Sequence, residues 1–268
     1  MRRFTKPSAR RAALVSAVLA LSAGARRAEA AAEWVYRPLT LPRGDVALDF
    51  GLGYGHAPFG SGSVSGFGLN VEVAGGITHD LELGLRTGFR LDDGGQTTQA
   101  DRYGRPFDTE TYGTGNERAA NPELRLRYTV ARGAHVALGL EARAYLPFET
   151  GTHFGIMPAV PIIFRLGTVR IDTGIYVPIL FDDPTRSFVS IPVHLWIQAS
   201  PTFWLGPLTG IRLNDQNGHN AWPFGFGIGS AVARMVDLRA WFLFPDLNRN
   251  DGAARTFGVG GAIEVRFE

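Results

Sequence analysis

From Asp45 to the C-terminus the chain alternates apolar with polar or small residues, in segments of roughly ten separated by turn-forming stretches. In the first segment Val46, Leu48, Phe50, Leu52 and Tyr54 share one face, and Asp45, Ala47, Asp49, Gly51 and Gly53 the other. A period of two is that of a strand with one apolar face. The same alternation predicts further strands near 67–77, 81–91, 123–130, 135–146, 154–165, 169–181, 188–198, 202–213, 223–233, 238–244 and 256–267, twelve in all. An all-β chain of this pattern fits either a packed core or a barrel whose apolar face meets lipid. The flanking segments and the loops favour the barrel.

The N-terminus carries Arg2, Arg3, Lys6, Arg10 and Arg11, then an apolar run from Ala12 to Ala25, then Ala28-Glu29-Ala30. That order is a secretory signal peptide over 1–30, cleaved after a small-x-small site. Without it the chain keeps 20 basic and 24 acidic residues, a net −4, so the basic pI belongs to the precursor and no nucleic-acid partner is implied. Zero cysteines exclude a lipid anchor on cysteine, a disulfide framework and thiolate metal sites. No later run approaches the roughly 18 unbroken apolar residues of a membrane-spanning helix. Residues 31–43, with Trp34, Tyr36, Pro38 and Pro42, are expected to form a periplasmic lead, and 44–268 the barrel.

The connections alternate in length: long at 55–66, short at 78–80, very long at 92–122, short at 131–134, and so on to the end. Outer-membrane barrels pair short periplasmic turns with longer outer loops and an even strand count. A soluble sandwich has no reason to sort its loops by parity. Aromatic residues gather at the strand ends, Tyr54, Phe89, Phe154, Phe181, Trp222 and Phe244 on the outer side and Tyr128, Phe164, Phe203 and Phe267 on the other. Such belts belong at membrane–water interfaces. Pro158, Pro161, Pro178 and Pro192 fall inside strands six to eight, where each removes a ladder donor, so bulges or early termination are expected there.

Three features carry a family resemblance: the turn and rising strand Gly76-Ile77-Thr78-His79-Asp80-Leu81-Glu82-Leu83, the ending Gly260-Gly261-Ala262-Ile263-Glu264-Val265-Arg266-Phe267, and the repeated hairpin. On them the chain resembles bacterial outer-membrane β-barrel proteins of the small porin-like class. The resemblance implies an antiparallel up-and-down barrel in the cell outer membrane, contact with outer-membrane lipid, and reading of the C-terminal strand by the barrel-assembly machinery. Glu268 follows Phe267, where an aromatic residue normally closes such chains.

No catalytic, cofactor or metal constellation emerges. The glycine runs 51–55 and 225–229 continue strands and precede no helix, unlike a nucleotide fingerprint. Asp246-Leu247-Asn248-Arg249-Asn250-Asp251-Gly252 is spaced like a calcium loop, but its glycine comes one residue late and the distal Glu is missing. A turn needs the same Asn, Asp and Gly for conformational reasons. The six histidines do not cluster, with His135 and His194 expected on the lumen face.

The inward face is richer. A charged belt of Asp49, Glu72, Arg86, Arg125, Arg127 and Glu141 is expected on strands one to five, with Arg86 and Arg125 meeting Glu72 and Glu141. An aromatic, glycine-smooth wall with Trp196, Trp204 and Trp241 is expected on strands eight to eleven. The charges read either as a network that partly plugs the barrel or as a selectivity lining. Twelve strands lie between barrels filled by their own side chains and open channels. The leading functional expectation is therefore a narrow pore or facilitator for small solutes, and no enzyme. The alternative is a structural or surface-interaction barrel acting through loop 92–122.

Overall fold

The computed structural model describes residues 33–59, 62–90, 122–147, 153–181, 185–215, 219–248 and 255–268. The signal segment 1–30, nearly all of loop 92–122 and residues 249–252 of the candidate calcium loop lie outside them.

Twelve antiparallel strands form one closed ring. They are β1 (Val46–Phe59), β2 (Gly62–Gly76), β3 (Leu81–Arg90), β4 (Glu123–Arg132), β5 (Val136–Tyr145) and β6 (Gly155–Leu166). The ring continues with β7 (Val169–Tyr176), β8 (Val189–Ser200), β9 (Phe203–Asp215), β10 (Phe224–Ala233), β11 (Val236–Phe244) and β12 (Phe257–Phe267). Each strand pairs with its sequence neighbours, and β1 pairs with β12 from Val46↔Phe267 to His56↔Phe257. Three short strands, Ile179–Leu180, Arg186–Ser187 and His219–Ala221, extend the outer loops. No helix among the described residues is long and apolar enough to cross a membrane. The spanning elements are the strands, and closure leaves no unpaired edge.

Burial follows the alternation: β4 and β5 bury every second residue along most of their length. The exposed set contains Phe50, Leu52, Leu83, Leu85, Leu124, Leu126, Phe226 and Ile228. In water, so large an apolar exterior would drive aggregation; in a bilayer it is the required surface. Rings cluster near the outer ends, with Phe154 stacked on Phe181 at 5.8 Å and Tyr54 tilted against Phe67 at 5.0 Å.

The prolines act locally. β7 ends at Tyr176, short of the expected 181, because Val177-Pro178 interrupts it before pairing resumes at Ile179–Leu180. β6 runs through Pro158 and Pro161, and β8 through Pro192. Pro161 faces Gly174 (φ +153°) and Pro192 faces Gly210 (φ +157°). A Cβ at either glycine would lie 2.9 Å from the facing proline Cα. The facing backbone approaches closely at both prolines, with the preceding carbonyl oxygen nearer still at 2.5 and 2.6 Å, and only glycine fits opposite.

Candidate functional site

The lumen is filled near the short-turn end by residues of the lead. Residues 34–36 form one turn of 3-10 helix, and Trp34, Val35, Arg37, Leu39, Thr40 and Leu41 are all buried. The lead, expected as a periplasmic segment, thus folds into the barrel. It lies outside the ladder, so its main-chain groups need other partners. Wall side chains supply them. Arg165 Nε donates to the Val35 carbonyl at 3.1 Å and its Nη2 to that of Arg37 at 3.0 Å. Arg170 Nη1 donates to the Trp34 and Arg37 carbonyls, each at 3.0 Å. Arg127 Nη1 reaches the Leu39 carbonyl at 3.2 Å, and the Leu41 N–H donates to Glu82 at 2.8 Å.

Side chains of the lead dock as well. The Arg37 guanidinium makes two bonds to the Asp237 carboxylate, one of them at 2.9 Å from Nη2 to Oδ1. Trp34 stacks on Trp204 with centroids 4.8 Å apart and planes 7° apart, and meets Trp196 edge-on at 5.9 Å and 74°. Arg37 covers the Trp34 and Trp204 rings at 5.0 and 5.4 Å, a cation–π arrangement.

Every residue of the expected belt is buried, but the belt does not form one network. Arg125 bonds Glu72 at 2.5 Å and Glu82 at 3.1 Å. Arg127 bonds Glu141 at 2.5 Å, and Arg143 bonds Glu141 and Glu123 at 2.6 and 2.7 Å. Glu141 is held by Arg127 and Arg143, and Arg125, expected to meet Glu72 and Glu141, is bonded to Glu72 and Glu82. Register explains the difference: Arg125 lies opposite Arg143 across β4 and β5. Arg125 reaches carboxylates on β2 and β3, and Arg143 reaches those on β5 and β4, so each of the two like charges has its own pair of acids. Arg86 sits buried between Glu72 on β2 and Glu123 on β4 in the ladder. Asp49 belongs to a second group at the β1–β12 seam. It pairs with Arg239, which also approaches Glu264 at 3.7 Å, and Arg266 bonds Asp237 at 3.1 Å.

Trp196, Trp204 and Trp241 are buried in one cluster with Trp34, Leu208 and Leu243. The glycines beside them do not leave a smooth bore. A Cβ at Gly227 would sit 2.7 Å from the Trp196 ring, and one at Gly260 2.5 Å from that of Trp241. Gly229 underlies Trp204, its register partner, in the same way. Each indole packs against a neighbouring glycine where a Cβ would collide with it, so the glycines are seats for the tryptophans.

His194 is buried as expected, whereas His135 is exposed in the turn before β5, its Nδ1 3.3 Å from the Arg165 carbonyl oxygen. Asp246 Oδ1 accepts from the N–H groups of Trp222 and Asn248 at 3.0 and 2.8 Å, a turn-capping role. No group of three potential metal ligands occurs among the described residues. The sequence reading missed Arg37, Trp34 and Asp237. Asp237 shares the parity of Arg239 and Trp241, so extending that strand to Val236 would have found it. An apolar lead of Trp34, Val35, Leu39 and Leu41 is itself a signal that the segment needs burial.

No family model matches the sequence, and no curated protein does. Solved structures do match in shape. A COG4313 outer-membrane channel from Pseudomonas putida F1 aligns with a TM-score of 0.60 at 11% identity, over 86% of this chain and 99% of that one. The NanC porin aligns at 0.57 and 7% identity, over 81% and 98%. The KdgM porin aligns at 0.52 and 6% identity, over 81% and 99%. With its closed ring of twelve strands and apolar exterior, the chain has the fold of the small porin-like outer-membrane β-barrels.

Proposed function

We propose that the chain is a narrow passage for small solutes, held shut at the short-turn end by its own N-terminal lead. The observation that carries this reading is the way the lead is bound. It contributes no strand, and the wall holds it by side-chain hydrogen bonds, one guanidinium–carboxylate pair and an indole stack. A segment integral to the wall would be laced into the ladder, whereas this one can leave without breaking a strand pair. Its departure exposes Arg127, Arg165, Arg170, Glu82 and Gln198, a polar lining at the level where the bore is filled. The fold shared with outer-membrane channels supports the same reading.

Planar-bilayer recordings of the mature protein and of Trp34→Ala with Arg37→Ala test it. The double variant should open more often and conduct more than wild type, with heat-modifiable migration retained. Equal conductance, and equal uptake of a small neutral sugar by proteoliposomes, would show that the lead is permanent packing.

A further inference from the structure

Resting on the reading of a passage closed by its lead, we propose that the slot filled by Trp34 and the carbonyl groups beside it is a binding site for an aromatic carboxylate. Such a solute competes with the lead for the slot. Two sides of the slot are aromatic and belong to the wall. Trp204 offers its face, parallel to the Trp34 ring within 7°, and Trp196 stands nearly perpendicular at 74°. Both indoles also pack against glycines of the wall, Gly229 and Gly227. A flat ring is therefore the shape the slot accepts, and stacking of this kind adds to apolar burial.

The third side is cationic. Arg165 is buried, gives its donors to two neutral carbonyl oxygens of the lead, and makes no carboxylate ion pair among the described residues. Arg170 donates to the Trp34 carbonyl and to the same Arg37 carbonyl, while also holding Asp172 at 2.9 Å. Hydrogen bonds from guanidinium to carboxylate are stronger than those to a neutral carbonyl, and they can be bidentate. A carboxylate taking the place of the lead's carbonyls gives Arg165 the counter-charge that the lead does not provide.

Each half of the ligand is needed. A neutral aromatic ring would fill the stack but leave the Arg165 donors unmet once the lead has moved, and a buried unpaired charge is costly. An aliphatic acid would pair with Arg165 and leave the tryptophan slot half empty. A cation would meet two arginines. The lead itself combines a ring with adjoining oxygen acceptors, so Trp34 with its following carbonyls acts as a tethered ligand. Its tether gives it a high effective concentration, and removing it should raise the apparent affinity for a free competitor.

Calorimetric titration of the full mature protein in detergent tests the site, with indole-3-acetate as probe and indole-3-acetamide and cyclohexanecarboxylate as controls. Trp34→Ala should bind indole-3-acetate at least tenfold more tightly than wild type, and prefer it to both controls. Arg37→Ala, which unties the lead at Asp237 and leaves the wall of the slot intact, should shift affinity in the same direction. Adding Arg165→Gln to Trp34→Ala should bring the acid and the amide to equal affinity. No gain in either lead variant, or equal binding of acid and amide with Arg165 present, would overturn the proposal. Bilayer recordings separate the two readings. Lead variants that conduct more yet bind no probe discard the site and keep the passage, whereas tight selective binding without conductance keeps the site and discards the passage.

Discussion

The two sides of the lumen solve the same problem differently. On β2 to β5 the wall buries Glu72, Glu82, Glu123, Glu141, Arg125, Arg127 and Arg143, and at least five bonds link these charges to one another, while Arg127 and Glu82 also bond the lead. On β8 to β11 it buries Trp196, Trp204 and Trp241 over glycines, and the Trp204 ring is covered by Trp34 and Arg37 of the lead. The charged wall pairs mostly within itself and gives the lead two hydrogen bonds, whereas the aromatic wall presents a ring face that the lead covers. Buried charge tolerates no vacancy, because an unmet ion costs several kcal/mol, roughly. An aromatic face tolerates exchange of one flat occupant for another. The contrast locates the adaptable part of the lumen on the tryptophan side.

The strongest way to break this comparison is to remove one charge. Arg127→Met strips Glu141 of one of its two arginines, removes a 4.0 Å contact from Glu82, which keeps Arg125, and removes a donor from the Leu39 carbonyl. Truncating one member of a buried pair costs about 3–5 kcal/mol. Urea unfolding in lipid vesicles should show that loss whether or not the lead is intact. A cost near zero would mean that the charged wall is not held by its own pairs.

The outer surface should show no such contrast. Leu126 lies outside the charged wall and Ile228 outside the aromatic one, and both are exposed to the surroundings of the barrel. Arginine at either position should cost about 2–4 kcal/mol if both lie near the bilayer midplane. The same assay reads it. A large inequality between the two would show that the barrel sits tilted or shifted in the membrane.

A finer test concerns the stack itself. A double-mutant cycle between Trp34→Ala and Trp204→Ala should give a coupling of about 0.5–1.5 kcal/mol, as expected for an aromatic pair beyond its burial. Additive losses would mean that Trp204 is held by its glycine seat alone and that Trp34 merely fills space.

How far the sequence could be read depends on whether a feature is periodic. Strand β3 is legible because Leu81, Leu83, Leu85 and Phe89 repeat at two, and the observed strand ends within one residue of the expected one. Parity also assigned Arg125, Glu141 and Trp204 to the inward face. It could not choose partners, since that depends on register: Arg143 stands opposite Arg125 and bonds Glu141, while Arg125 bonds Glu72 and Glu82. The lead was illegible for another reason. Its eight residues from Trp34 to Leu41 have no strand period, and what they bind comes from strands far apart in sequence, as in the Arg37–Asp237 pair. Non-local side-chain docking of an irregular segment leaves little trace in a linear pattern. The glycines were misjudged because the sequence shows that an inward position is empty, and not which neighbour fills it.

The smallest expected effect lies at the seam where the two walls meet. Asp45 precedes β1, its carbonyl accepting from the Gly76 N–H at 2.9 Å. Its carboxyl is held above the ordinary carboxylate range, first by partial burial and then by repulsion from Glu268, with Arg266 acting in the opposite sense. A carboxyl whose folded value is raised contributes stability while protonated, and that contribution is lost as pH rises through the folded value. At neutral pH the charged Asp45 therefore opposes closure of the barrel by β1 and β12. Asp45→Asn should stabilise the seam slightly, and its advantage over wild type should grow as pH is raised from below the carboxylate range toward neutrality. Other carboxylates titrate in the same interval, so the informative quantity is the difference between the two unfolding midpoints at each pH. Glu268→Gln should shrink that difference by removing the repulsion while leaving the burial. A difference independent of pH would assign the effect of Asp45→Asn to hydrogen bonding at the start of β1, and not to charge at the seam.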